Sequence, residues 1–297
     1  MNLELLPNEI FLDIFDYFDG TDLLRAFYGL NSHLNYLLYK QFRWYRFKFR
    51  SVSKRNFDMI CQQYFPFITD RVISLHLFNS DDTPEQLNLF SSYIPSFSQF
   101  THLQLLELFN IDSYKRLLKV LNECRHLNNL THLKLHSCSF GNDQVDFQSI
   151  VNHIWSLPKL TNCYFGITVK NQRRFCVPTI ISSSLECITL FLSELTMNQI
   201  NRLFEYTPRL KRLLKCDLAR INDNYKASSL PKLIHLDISF YSDDVSKLIL
   251  FLQNIPNLRH LNIDIFTKLI DGHQWEQIIR NYLPKLKTFK LKLKPMV

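Results

Sequence analysis

The sequence predicts an α/β protein in which one short parallel strand and one helix alternate through most of the chain, after a short all-helical segment at the N-terminus. Two observations carry this prediction. A short apolar pattern recurs at nearly constant intervals from residue 47 onward, and the residues before it carry apolar side chains at helical spacing instead. Apolar residues make up 46% of the chain, which is enough to build a substantial core.

The recurring pattern is L-x-x-L-x-L, clearest at residues 130–135, 233–238, 258–263 and 286–291. The first residue of the final L-x-L lies at positions 47, 75, 103, 133, 163, 188, 213, 236, 261 and 289, at intervals of 23 to 30 residues. This spacing is close to the 20–29-residue period of leucine-rich repeats. We therefore predict that residues 41–297 form a leucine-rich-repeat solenoid of about ten degenerate repeats. One copy is degenerate because Lys215 stands where an apolar residue belongs.

The segments between strands predict the outer layer of a horseshoe, with helices outside and parallel strands on the concave face. Residues 115–122, 195–206 and 246–254 are apolar enough to form partly buried helices. Proline recurs shortly before several strands, where it ends the preceding helix and favours an extended chain. These prolines lie at positions 158, 208, 231, 256 and 284.

The concave face is predicted from strand alternation, because the residues that flank and separate the two leucines point away from the core. We expect a protein partner to bind there, through residues that are mostly polar and rich in histidine. The residues predicted for this contact are His76, His102, His132, Lys134, His136, Tyr164, His235, Asp237, His260 and Asn262. A zinc site needs three or four converging ligands, and no such set stands at a recognisable spacing, so we predict no metal.

The N-terminal forty residues predict three short helices. Pro7 suits the start of the first, since its missing N–H costs nothing there, and apolar residues then follow at helical spacing. Thr21 or Asp22 is predicted to cap the second helix, and the third follows Asn31 and Ser32. Three helices this short make a marginal core by themselves. We expect them to pack on the solenoid or on another protein.

The same segment resembles the F-box family, most specifically in its opening Leu6-Pro7-x-Glu9-Ile10 and then in the apolar spacing through Leu38. The resemblance implies an F-box over residues 1–40 that binds the Skp adaptor subunit and, through it, a cullin. The residues it places at or near that interface are Leu6, Pro7, Glu9, Ile10, Ile14, Phe15, Phe18 and Leu23. The chain would then be a substrate-recognition adaptor of an SCF-type cullin-RING ubiquitin ligase.

Two other interpretations stay open beside the F-box. The helices could be an ordinary N-terminal cap for the solenoid, because an exposed terminal repeat needs one. The protein could also be a leucine-rich-repeat scaffold that binds partners outside any ligase.

Enzymatic function is not predicted. The chain has only 5 glycines and lacks the glycine-rich phosphate loops of nucleotide-binding enzymes, and no catalytic motif is present. We expect no cofactor.

The seven cysteines are odd in number and lack a C-x-x-C pair, which favours reduced thiols in a cytoplasmic or nuclear protein. Neither a secretory signal nor a run of about 20 apolar residues that would span a membrane is found.

A basic and aromatic stretch, residues 40–55, has two interpretations. The chain carries a net charge of +8, and in this stretch lysines and arginines alternate with Phe, Trp and Tyr. Such a stretch could hold phosphates and stack bases of a nucleic acid. It could equally be one strand with apolar side chains inward and charged ones outward. We favour the strand and do not expect a nucleic-acid partner.

Overall fold

A computed structural model of the chain describes residues 6–79, 83–141, 146–169, 174–191, 193–218, 228–241, 245–266 and 270–293. The chain divides into two compact units. The N-terminal unit comprises residues 1–111 and 115–134, and the C-terminal unit comprises residues 112–114 and 135–297. The boundary expected at residue 40 therefore lies inside the N-terminal unit.

The described helices are α1 (Asn8–Asp16), α2 (Gly20–Phe27), α3 (Ser32–Tyr36), α4 (Lys54–Met59), α5 (Phe65–Ile68), α6 (Gln86–Tyr93), α7 (Tyr114–Cys124), α8 (Phe147–Trp155), α9 (Met197–Tyr206), α10 (Val245–Gln253) and α11 (Gly272–Tyr282). α3 and α4 each continue into a π-helical turn, Leu37–Gln41 and Ile60–Tyr64. The three helices predicted between strands are confirmed as α7, α9 and α10. In α7 the buried residues recur at helical spacing (Leu117, Val120, Leu121 and Cys124), which explains its packing on the core.

The described strands are β1 (Tyr45–Lys48), β2 (Val72–Phe78), β3 (Leu105–Phe109), β4 (His132–Phe140), β5 (Asn162–Val169), β6 (Cys187–Leu190), β7 (Glu194–Leu195), β8 (Arg212–Leu218), β9 (His235–Phe240), β10 (His260–Ile265) and β11 (Thr288–Leu293). In the N-terminal unit β1, β2 and β3 pair in parallel and in chain order. In the C-terminal unit β5, β6, β8, β9, β10 and β11 do the same, with β7 beside β8. Each unit thus confirms a parallel-strand repeat, and the chain is an α/β protein.

The third copy of the repeat lies three residues later than the sequence pattern indicated. Leu75 of β2 pairs with Leu106 of β3, so the L-x-L of this copy is Leu106-Glu107-Leu108 and not the pair at 103 and 105. Leu106 and Leu108 are both fully buried. The reason is local ambiguity: Leu103, Leu106 and Leu108 also satisfy L-x-x-L-x-L, and only pairing with β2 selects between the two registers.

The degenerate copy at 210–215 is restored by a β-bulge. The register shifts between Leu213 and Cys216, so that Leu213 pairs with Leu236 and Cys216 with Ile238. Lys215 adopts a φ of 54° and is exposed, which is the left-handed conformation of a bulged residue. Cys216 fills the apolar position, and the expectation that Lys215 would occupy it is wrong.

Most of the cysteines fill the core in this way. All seven are free thiols, and six of them are buried. Burial raises the pKa of the Cys124 thiol to about 12 and raises the pKa of Cys216 as well, so these groups remain protonated and behave as small apolar side chains.

The N-terminal helices share one core with the first strand. Phe15 of α1 packs edge-on against Phe42 at 5.7 Å, and Phe42 packs against Tyr45 at 4.8 Å. The buried Tyr45 hydroxyl donates a hydrogen bond of 2.6 Å to the Leu38 carbonyl. Asp19 caps α2 by accepting from the backbone N–H groups of residues 21 and 22, so the predicted caps Thr21 and Asp22 are wrong.

Candidate functional site: the open face of the strands

The open face is the set of strand side chains that alternate with the buried apolar ones. In β9 and β10 every second residue is buried and the residues between them are half-exposed. Pairing places equivalent open-face residues side by side on neighbouring strands, about 5 Å apart. The open face of each unit therefore consists of rows of polar and aromatic side chains that run across the paired strands.

In the N-terminal unit a hydrogen-bonded network crosses three strands. His76 Nδ1 lies 2.8 Å from Glu107 Oε2, and His76 Nε2 lies 2.9 Å from Ser74 Oγ. Lys134 Nζ approaches the same Glu107 oxygen at 3.6 Å. The Glu107 carboxylate is buried, and a buried carboxylate is costly unless charged or hydrogen-bonding groups compensate it. His76 and Lys134 supply that compensation.

Glu107 is the residue of this face that the sequence analysis missed. It pairs with His76 across β2 and β3. The register expected from the sequence assigned that position to a different residue. The signal was available, since Leu106-Glu107-Leu108 is itself an L-x-L, but the pattern could not choose between two overlapping copies.

His102 does not lie on a strand, and its predicted place among the strand residues of the concave face is wrong. It lies in the exposed turn before β3, where its Nδ1 is 2.5 Å from the Asp70 carbonyl oxygen. This follows from the same three-residue shift in the third repeat.

The order Ser74, His76, Glu107 is that of the nucleophile, base and orienting acid in serine hydrolases. The surroundings do not suit that chemistry. Ser74 is buried in the middle of β2, paired with Arg46 on one side and Leu105 on the other. A nucleophile needs access for its substrate and preorganised donors for the oxyanion. We interpret the three residues as a network that orients the His76 ring.

In the C-terminal unit aromatic rings stack across the open face. The His136 and Tyr164 rings lie 4.1 Å apart at an angle of 27°, and Tyr164 and Phe191 lie 6.2 Å apart at 25°. The Lys215 ammonium lies 5.8 Å from the centre of the Phe191 ring. The bulge in β8 thus turns Lys215 toward the aromatic row. Aromatic rings are enriched at protein interfaces, and a cation near the face of such a ring is attracted to it.

Gly166 makes room for this row. A Cβ atom at this position would lie 2.8 Å from the Leu135 carbonyl oxygen and 3.0 Å from Tyr164 Cε1. Any other residue would therefore displace either the backbone of β4 or the Tyr164 ring.

Farther along the C-terminal unit, the predicted residues His235, Asp237, His260 and Asn262 form two adjacent pairs. His235 pairs with His260 and Asp237 with Asn262 across β9 and β10. The two histidine rings are 5.3 Å apart. Burial, followed by the charges of His260 and Arg212, lowers the pKa of His235 and favours its neutral form. His132, also predicted for this face, is half-exposed at the start of β4.

The eight residues predicted for the Skp interface separate into two groups. Pro7, Glu9, Ile10 and Phe18 are exposed, and Leu6 and Ile14 are half-exposed. Phe15 and Leu23 have no exposed surface, because they pack into the core of the N-terminal unit. In this structure Phe15 and Leu23 therefore hold the helices together and offer no surface to a partner.

No family model and no curated protein sequence matches this chain. Among solved structures, the chain is similar to an internalin from Listeria monocytogenes, with 13% sequence identity and a TM-score of 0.36. The match covers 81% of this chain and 88% of the internalin.

The described residues contain no group of three or more His, Cys, Asp and Glu side chains arranged to hold a metal ion. None of their helices combines the length and the apolar character that crossing a bilayer requires.

Proposed function

We propose that this protein is a substrate-recognition adaptor of an SCF-type cullin-RING ubiquitin ligase. Its N-terminal helices bind the Skp adaptor, and the open face of its strands holds a protein substrate. The effect on rate is positional: the substrate is kept near a ubiquitin-charged enzyme, and the chain itself contributes no acid, base or nucleophile. The place of action expected for such a complex is the cytoplasm or the nucleus.

The observation that carries this proposal is a concentration of exposed apolar side chains in the N-terminal helical segment, both on its helices and in the turns that follow them. Of the thirteen large apolar residues exposed in the described chain, six lie between residues 6 and 40. They are Ile10, Tyr17, Phe18, Tyr28, Leu30 and Tyr36. Such a concentration is typical of a surface that binds another protein. Ile10 and Phe18 belong at once to this surface and to the F-box resemblance.

The open face supports the second half of the proposal. The rings of His136, Tyr164 and Phe191 are stacked, partly exposed and flanked by Lys215, which suits recognition of a protein surface. Most of the remaining open-face positions are polar, as at the rim of an interface.

The test is binding of the purified Skp adaptor to the full chain, measured by calorimetry. The Ile10→Asp/Phe18→Asp variant removes two exposed apolar contacts and leaves the buried Phe15 in place. Losing about 3 kcal/mol of apolar burial weakens binding roughly 100-fold. The matched control is Ile181→Asp/Leu250→Asp, which alters two exposed apolar residues of the C-terminal unit and is expected to bind normally.

A leucine-rich-repeat scaffold outside any ligase is the second candidate. It is favoured by the shared core of the N-terminal helices and β1, since a cap for the first repeat needs that contact and no adaptor. Absence of Skp binding by the unaltered chain would select this candidate and reject the ligase proposal.

A further inference from the structure

A cavity of about 400 Å³ lies in the N-terminal unit, apart from the open face and the exposed residues of α1. Four segments form its wall: the π-helical turn after α3, the loop before β1, the end of α5 with the turn that follows, and the turn before β3. Its lining residues are Tyr39, Lys40, Arg43, Trp44, Phe67, Asp70, Arg71 and His102. It contains three residues of the basic and aromatic stretch that precede β1.

The stretch 40–55 divides between the cavity wall, the first strand and the start of α4, which holds its residues 54 and 55. From Tyr45 to Arg50 the apolar side chains are buried and the basic ones exposed, so the predicted strand alternation is confirmed. Lys40, Arg43 and Trp44 lie before the strand and line the cavity instead. Strand alternation therefore accounts for residues 45–50 and leaves Lys40, Arg43 and Trp44 to be explained.

The cavity is positively charged. Arg71 is held in place, because its guanidinium donates to the Phe42 and Phe67 carbonyl oxygens at 3.2 and 2.7 Å and lies 3.6 Å from Asp70. Lys40 and Arg43 form no ion pair or hydrogen bond within the described part of the chain. Two exposed cations that line a cavity with one acidic residue favour an anion, and phosphate suits both side chains.

The cavity also presents aromatic surface. Trp44 is 47% exposed and Phe67 is 65% exposed. Tyr39 packs edge-on against Phe67 at 5.8 Å, which orients the Phe67 ring. An exposed indole is unfavourable in water and offers a flat face on which a planar ring can stack.

We propose that this cavity binds a nucleoside monophosphate, with the base on Trp44 and Phe67 and the phosphate between Lys40 and Arg43. A flat ring and an anionic group on one small molecule satisfy both features at once, and the volume is in the range of small-molecule sites. Arg46 and Lys48, which a bound strand of nucleic acid could also reach, point from the exposed side of β1 and do not line the cavity. The site is independent of the ligase proposal.

The experiment is a titration of the full chain with AMP, followed by tryptophan fluorescence. Trp155 and Trp275 are buried, so quenching by a ligand reports on Trp44. We expect saturable quenching by AMP, with adenosine and inorganic phosphate each binding about tenfold more weakly or worse, because each supplies one of the two contacts. Lys40→Ala/Arg43→Ala is expected to lose about tenfold or more in affinity.

The matched control is Arg46→Ala/Lys48→Ala, which also removes one arginine and one lysine from the same stretch but from outside the cavity. It is expected to bind AMP as the unaltered chain does. Non-saturable quenching, or equal losses in both double variants, would overturn the proposal. Tight binding of an oligothymidylate that is lost in the Arg46/Lys48 variant, with none of AMP, would overturn it in favour of a nucleic-acid surface on β1.

Discussion

The first and last strands carry nearly the same alternation of apolar and basic residues, yet they differ sharply in burial. In β1 and the residue after it, Tyr45, Phe47 and Phe49 have no exposed surface. In β11, Phe289 and Leu291 are half-exposed and Leu293 is 48% exposed. The alternation that predicts a strand therefore does not predict how deeply that strand is buried.

Neighbouring elements account for the difference. Phe47 of β1 packs against the N-terminal helices and against Phe65, and Phe49, the residue after β1, packs against Phe57. On β11, Phe289 packs against Trp275 of α11 at 4.8 Å. Phe289 and Leu291 also line an apolar cavity of about 530 Å³. In a repeat protein each unit is covered by the next, so a terminal strand depends on a cap. The N-terminal helices cover β1.

The largest difference is expected between Phe47→Ala and Phe289→Ala. Removing the Phe47 ring leaves a cavity inside a closed aromatic core and is expected to destabilise the N-terminal unit by about 3–5 kcal/mol. Removing the half-exposed Phe289 ring is expected to cost about 1 kcal/mol. Urea unfolding followed at Trp44 and at Trp275 in single-tryptophan versions separates the two units. Equal losses of unfolding free energy in the two variants would show that β1 and β11 are covered to the same degree.

A smaller difference is expected between two glycine substitutions. A Cβ at Gly20 would lie 2.5 Å from Phe47 Cε1, and the ring cannot yield easily because it stacks between Tyr45 and Phe49. Gly20→Ala is therefore expected to destabilise by about 1–3 kcal/mol. Gly272, in the first turn of α11, has nothing within 4 Å of its Cβ position, so Gly272→Ala is expected to stabilise by roughly 0.5 kcal/mol. Thermal unfolding measures the stability change in both variants. If Gly20→Ala left the stability unchanged, α2 would not pack closely against β1.

The smallest expected effect concerns pH and the histidines of the two open faces. His76 faces the Glu107 carboxylate, whereas His235 faces His260, Arg212 and Lys290 as well as Asp237. Because the pKa of His235 is lowered on folding, the unfolded chain binds more protons just below pH 6.5. The stability contributed by neutral His235 is present above that pH and is lost as the pH falls toward the folded pKa.

The measurement for His235 is the urea midpoint of the C-terminal unit between pH 7.5 and 5. We expect a decline with a slope below the one-proton limit of about 1.4 kcal/mol per pH unit, and a flatter profile for His235→Gln. His273→Gln, in the exposed first turn of α11, is the control and is expected to keep the slope. An unchanged slope in His235→Gln would assign the pH dependence to other groups.

The repeat itself could be predicted from the sequence, because the strand and helix periods are local properties of the chain. Nine of the ten expected strand positions, the helices α7, α9 and α10, and the helical start after Pro7 all follow from apolar spacing and from helix-terminating residues. The polar character of the open face also follows, since alternate residues must point away from the core.

Other features depended on neighbours that are distant in the chain. Pairing with β2 decided that Leu106 and Glu107, not Leu103 and Gln104, enter the third strand, and pairing with β9 decided that Lys215 bulges outward. The burial of Phe15 likewise depends on a distant residue, because its ring packs against Phe42.

The candidate sites divide along the same line. Strand alternation alone determined that Tyr164, His235 and Asn262 lie on the open face. Tertiary structure brought Lys40 and Trp44 to one cavity with Phe67 and His102, which are far along the chain and carry no shared pattern. Local periodicity specifies which way a side chain points, because it is set by backbone geometry. Which side chains meet is set by the packing of one repeat on the next, and no single repeat contains that information.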